Sequence, residues 1–179
     1  MTSLSHYLKS RKLVSIKRAG VGGYGIQGFL AGASDDLLAI EYVYDFQVDG
    51  LMILRQSDIT EINRTKTDEF QESLLRHEGI LAGHQAPSNL NLDTWQSVIL
   101  QLSKNYPLMT FERELGPSPE FSIGRPLKIT GAQVEVQTFT GTGRWSSKPR
   151  RIKYAQLSCV QVNNRYTNFY QRYFDRGAA

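Results

Sequence analysis

The chain has 179 residues, 40% hydrophobic and 21% charged with a formal charge of +4, a globular composition that excludes a disordered polymer. Its single cysteine, Cys159, excludes an internal disulfide and fits a reducing compartment. The longest mostly apolar run, Leu37 to Val43, already contains Glu41 and is too short to span a bilayer; the opening MTSLSHYLKSRKLVSI lacks an apolar stretch of signal-peptide length, so a soluble, cytoplasmic protein is expected.

Residues 13–62 read as short strands. LVSIKRA alternates, IQGFLAG resumes after a glycine cluster, and LLAIEYVYDF sets Leu38, Ile40 and Tyr42 against Ala39, Glu41 and Val43. Asp49-Gly50 between two hydrophobic runs predicts a hairpin turn, and LMILR and DITEI complete the unit. The intervening GVGGYG, residues 20–25, matches the spacing of a dinucleotide phosphate loop. Such a loop needs a helix after the glycines, whose N-terminus holds the pyrophosphate, and IQGFLAG reads as a strand. A plain hairpin is therefore expected, with no cofactor.

Residues 67–107 change character. TDEFQESLLRHEG has capping candidates in Thr67 and Asp68 and a stop at Gly79. DTWQSVILQLSKNYP spaces Trp95, Val98, Ile99 and Leu102 along one helical face, with Asp93 or Thr94 as cap and Pro107 as stop. Strands return in LMTFERE, FSIGRPLKIT, QVEVQTFT and IKYAQLSCVQV. A shift of 96 residues sets Gly28 on Gly124, Leu38 on Val134 and Ile40 on Val136; a shift of 98 sets Arg55 on Lys153 and Ile59 on Leu157. An internal repeat is therefore expected. The chain closes on YTNFYQRYFDRG, a helix with Tyr166, Phe169, Tyr170 and Tyr173 on one face and Phe174 beside it, read as a core-facing stripe.

The predicted organisation is mainly β (α+β): an N-terminal barrel over residues 1–66, a short helical connector over 67–107, and a C-terminal barrel with a terminal aromatic helix over 108–179.

ILRQSDITEI, residues 53–62, resembles the second signature of Sm-like barrels: Arg55, Ile59 and Ile62 fall in register, and Gln56 replaces the glycine. Asp35, Leu38 and Ala39 follow the first signature, with Ala39 in place of its asparagine; Lys153 and Tyr154 occupy the arginine and glycine positions of the second half. The layout as a whole is similar to a family of uncharacterised bacterial proteins built from tandem Sm-like or SH3-like β-barrels. The likeness is carried by Gly28-x-Leu30, Asp45-Phe46-x-x-Asp49-Gly50 and Ile59-x-x-Ile62. It implies two small Sm-like barrels and assigns no activity. In Sm proteins the arginine and the asparagine help form a uracil pocket, so with Ala39 in the asparagine's place no preference for uridine is expected.

Catalysis has no evident centre. His6, His77 and His84 lack ligand spacing for a metal, Cys159 stands on an apolar strand, and the aspartates Asp35, Asp36, Asp45, Asp49 and Asp58 concentrate at turns. A non-catalytic binding or scaffold module is expected. Charge is unevenly distributed, with eight Lys or Arg against seven Asp or Glu over residues 1–66, three against seven over 67–119 and ten against three over 120–179. GRWSSKPRRIKY, residues 143–154, concentrates that charge. Arg144, Lys148, Arg150, Arg151 and Lys153 supply cations, Trp145 and Tyr154 supply π-faces, and Arg55 joins them as the arginine of the Sm-like signature. Cations attract phosphate without sequence preference and aromatic rings stack bases tolerantly, which points to single-stranded RNA or another polyanion. A protein partner with no nucleic-acid role, or an enzyme whose residues lie far apart in sequence, remain the alternatives, and a solubilising hairpin with Trp145 packed below explains the same residues without binding.

Overall fold

Strand β1 (Leu13–Arg18) is preceded by a short helix, α1 (Leu4–Ser10), whose Tyr7 is buried. The structure is a computed structural model that describes residues 4–21, 25–82 and 89–177. Strands β2 (Ile26–Ala33), β3 (Leu37–Tyr44), β4 (Gln47–Arg55) and β5 (Ile59–Asn63) follow, with a 3₁₀ turn at Gln56–Asp58 before β5. Helices α2 (Lys66–His77) and α3 (Trp95–Leu102) lead to β6 (Met109–Arg113), β7 (Glu120–Ile129), β8 (Gln133–Thr138) and β9 (Arg150–Lys153). A second 3₁₀ turn at Tyr154–Gln156, strand β10 (Cys159–Val162) and helix α4 (Arg165–Asp175) complete the described chain.

The mainly-β expectation holds, but the two barrels with a connector do not. All ten strands form one open antiparallel sheet in the order β5-β1-β2-β3-β4-β10-β6-β7-β8-β9. The joint is a direct ladder between β4 and β10, from Leu54 opposite Cys159 to Leu51 opposite Val162. Its cause lies in β4, where Leu51, Met52, Ile53 and Leu54 are all buried, so the strand needs cover on both faces and a hydrogen-bonded neighbour on each side. β10 supplies that neighbour, and β4 has no free edge to close a separate barrel.

Helix α3 belongs to the same joint and is not a spacer. Trp95, Val98, Ile99 and Leu102 pack with Leu37, Ala39, Leu51 and Ile53 from one half and Met109, Phe111 and Val134 from the other. On the opposite face Leu38, Ile40, Met52 and Leu54 gather with Val14, Ile16 and Cys159. Helix α2 covers a third cluster through Leu75. The Thr65 hydroxyl caps α2, with the Asp68 carboxylate returning to the Thr65 amide, two residues before Thr67, the nearer of the two expected caps. Across the joint, the Arg18 guanidinium donates to both carboxylate oxygens of Glu114 at 2.5 and 2.7 Å, and the Ser158 hydroxyl donates to the same carboxylate at 2.8 Å.

Each half nonetheless has the same internal order, β5-β1-β2-β3-β4 and β10-β6-β7-β8-β9. Gly28 faces Tyr42 and Gly124 faces Thr138, both 96 residues apart, and the β2–β3 and β7–β8 ladders slip at matching points, Leu30/Gly32 and Pro126/Lys128. Leu37 faces Arg55 as Gln133 faces Lys153. Both glycines are obligatory, because a Cβ at Gly28 would run into the Glu41 carbonyl and one at Gly124 into that of Gln137.

The β3–β4 turn falls at Asp45–Phe46, with φ of 48° and 57°, and not at Asp49–Gly50, which lies inside β4. Gly50 has φ 80°, and a Cβ there would collide with the Val162 carbonyl, so its small size serves the passage from β10 into α4. Asp49 Oδ1 accepts the Arg165 amide at 2.6 Å at the start of that helix. Of the GVGGYG loop, Gly22–Tyr24 lie outside the described residues. The segment after it is strand β2, antiparallel to β1, without the helix a dinucleotide site requires.

Candidate nucleic-acid interface

The far end of the sheet, β7 to β9, carries Arg125, Lys128, Arg150, Arg151 and Lys153, half of the cations of the C-terminal third. Lys128 stands opposite Glu135, Glu135 opposite Arg151, Gln133 opposite Lys153, and Arg125 opposite Gln137. Opposed residues share a face, and alternation puts Gln133, Glu135 and Gln137 on the face away from buried Val134 and Val136. Four exposed cations, Arg125, Lys128, Arg151 and Lys153, therefore share a sheet surface with a single carboxylate, Glu135. Glu135 pairs with Arg151 at 3.1 Å. β9 is also an outer strand, where charge discourages edge-to-edge association, so part of this pattern serves solubility.

The face ends in a cluster of rings. By the same alternation Phe139 continues the Gln133, Glu135, Gln137 row, and it bridges to Trp145 across the hairpin. The Arg125 guanidinium lies 4.1 Å from the centre of the Trp145 ring, and Phe174 of α4 lies 4.5 Å from it. Phe139 in turn meets Tyr170 at 4.7 Å and Phe174 at 5.0 Å.

Helix α4 departs from the expected core stripe. Its only buried residue is Thr167, while Tyr166, Phe169 and Tyr173 are 48, 69 and 39% exposed. The helix caps itself through the Asn164 side chain and lies over the sheet edge with only part of its aromatic face packed. Between α4 and the sheet is a cleft of about 280 Å³ lined by Phe121, Ile123, Phe139, Tyr166, Tyr170 and Arg150.

The residues singled out from sequence separate into three places. Arg151 and Lys153 stand on the basic face; Arg150, on the same strand, pairs with Glu120 at 2.5 Å beside the cleft. Arg144 and Lys148 are exposed on the hairpin that carries Trp145. Arg55 and Tyr154 sit at the joint between the halves. There the Arg55 guanidinium donates to the carbonyls of Leu157 at 3.1 Å and Tyr154 at 3.0 Å, bracing the second 3₁₀ turn. A cleft of about 340 Å³ beside them is also lined by Asp35, Asp36, Thr94 and Trp95. Burial pushes the Tyr154 phenol up to about 12. Arg125, Lys128, Phe121 and Phe139 were missed by the sequence reading; the signal for them is cross-strand placement, Arg125 and Lys128 opposite β8, Phe121 opposite Glu112 of β6 and Phe139 opposite Trp145, which no local pattern encodes.

Among the described residues no group of three His, Cys, Asp or Glu converges as a metal site, and no helix is long and apolar enough to cross a membrane. Cys159 is buried, and burial pushes its thiol well above the ordinary range. Comparison with known proteins finds no matching family model and no significant similarity to a curated protein or a solved structure.

Proposed function

We propose that this chain is a non-catalytic cytoplasmic binding module, built from two related halves, that holds single-stranded RNA or a similar extended polyanion on the β7–β9 face. The observation that carries the reading is the shared surface of Arg125 and Lys128 from β7 with Arg151 and Lys153 from β9, the two strands that flank β8. Such a surface meets a flexible phosphate backbone along its length and releases counterions as it does so. The half-exposed ring of Tyr166 on α4 borders it and suits bases that are not already paired. Arg150 and Arg151 have carboxylate partners and contribute less than their number suggests, whereas Lys128 and Lys153 are exposed cations on the same face.

The test is a titration of labelled single-stranded RNA by the whole protein over a range of salt. Affinity should fall with salt by about 0.7 log units per log unit for each phosphate neutralised. Replacing Lys128 and Lys153 together by serine should flatten that slope and weaken all sequences alike, with no advantage for uridine tracts. Absence of binding at low salt and about 100 μM protein, where even non-specific contacts register, would overturn the reading and direct attention to a protein partner.

A further inference from the structure

We propose that the cleft between α4 and the β7–β8 hairpin is a stacking site for one unpaired nucleobase, an inference that rests on the polyanion reading above. At about 280 Å³ the cleft is at the small end of ligand pockets and suits a single planar ring system. Its walls are aromatic. Phe121 and Tyr166 meet edge to face at 5.9 Å, and both line the cleft while remaining half exposed, at 51 and 48%. Tyr166 also meets Tyr170 edge to face at 5.2 Å, and the exposed half of each ring is the surface a base would cover. Trp145 differs, because Arg125 and Phe174 already engage its ring. The Tyr170 hydroxyl donates to the Gly141 carbonyl at 3.1 Å, which holds that ring in place along the cleft.

The charge at the wall suits a nucleotide better than a plain aromatic ligand. Glu120 is shared by Arg150 at 2.5 Å and Arg113 at 2.8 Å, so two guanidiniums stand against one carboxylate. Of the two, Arg150 lines the cleft and is the cation placed to meet the phosphodiester flanking an inserted base. A base stacked on Tyr166 and Phe121 needs no particular hydrogen-bonding edge, since every base has a π-face. The cleft therefore confers preference for unpaired bases over both duplex and base-free polyanions, and it does so without reading sequence.

The experiment compares two labelled probes on the whole protein: an oligoadenylate of about ten nucleotides and an abasic oligomer with the same number of phosphates. The oligoadenylate should bind about tenfold more tightly at equal salt, with parallel salt slopes for the two probes. Tyr166→Ala and Phe121→Ala should each bring the ratio towards one and leave the slope unchanged, while Tyr166→Phe should keep it. Phe169→Ala, on an exposed residue of the same helix that does not line the cleft, should leave it untouched. Both cleft residues are half exposed, so these variants should fold, and circular dichroism checks that they do. Equal affinity for the two probes in the unaltered protein would overturn the stacking site while the polyanion reading stands, and so would a ratio that survives in the Phe121→Ala, Tyr166→Ala double variant. Failure of both probes to bind at low salt would overturn the polyanion reading and the stacking site together.

Discussion

Glu72 of α2 is buried and receives the Leu13 amide at 3.0 Å and the guanidiniums of Arg64 and Arg76 at 2.6 and 2.8 Å. Burial alone would push its carboxyl up, but these donors overcome that and hold it at about 2, below the ordinary 4.5. A carboxylate depressed on folding contributes stability above its unfolded value and loses it as pH falls towards the folded one. The urea midpoint should therefore decline as pH falls from about 4.5 to about 2, and Glu72→Gln should be less stable at neutral pH with a flatter acid limb. A decline equally steep in that variant would assign the acid limb to other groups. Gly124 makes a steric prediction at the same scale. Gly124→Ala should destabilise by about 3 kcal/mol or more through the forced contact with the Gln137 carbonyl, read as a lower denaturation midpoint. The offset that aligns Gly28 with Gly124 is visible in the sequence because a close approach admits only glycine. The work of Arg55 is not visible there: a cation in a signature reads as a ligand contact, and only the folded chain brings the carbonyls of Tyr154 and Leu157 to it.

At the scale of elements, strands and helices were largely legible because apolar period and caps are local; α3 begins after Thr94, one of the two caps the pattern offers. Helix α1 was not foreseen, and IKYAQLSCVQV, read as one strand, divides into β9, a 3₁₀ turn and β10; two further departures have clear physical causes. The turn at Asp45–Phe46 uses two non-glycine residues with positive φ, against the stronger Asp-Gly signal four residues on, because Gly50 is needed where β10 enters α4. The aromatic face of α4 has the period of a core helix, yet it lies on the sheet surface, since periodicity tells which residues share a face and not what covers them. Phe174 is the α4 ring that meets both Phe139 and Trp145, with Tyr170 also against Phe139. Phe174→Ala should lower stability by about 1–3 kcal/mol and reduce the near-ultraviolet circular dichroism of the tryptophans, while the far-ultraviolet spectrum is kept. Near-ultraviolet bands unchanged from the parent would show that α4 does not order this cluster.

For the whole molecule, the consequential feature is the β4–β10 ladder, which makes ten strands one sheet and places the basic face at its far end. Its absence from the sequence reading has a physical reason: pairing between strands about a hundred residues apart leaves no periodic trace, and β4 and β10 each look like ordinary buried strands. Hydrogen exchange should find the amides of Leu51–Leu54 and Cys159–Val162 among the slowest and opening together. Fast exchange at those amides, with two halves protected independently, would contradict the joint. The surface proposed for binding is the β7–β9 face with the Tyr166 side of α4, at the opposite end of the strand order from β5 and β1. The most direct measurement is amide chemical-shift mapping of the whole protein during titration with single-stranded RNA. The account predicts shifts on β7, β8, β9 and α4, including Arg125, Lys128, Arg151 and Lys153; shifts centred on Asp35, Asp36 and Arg55, or on β1 and β5, would contradict it.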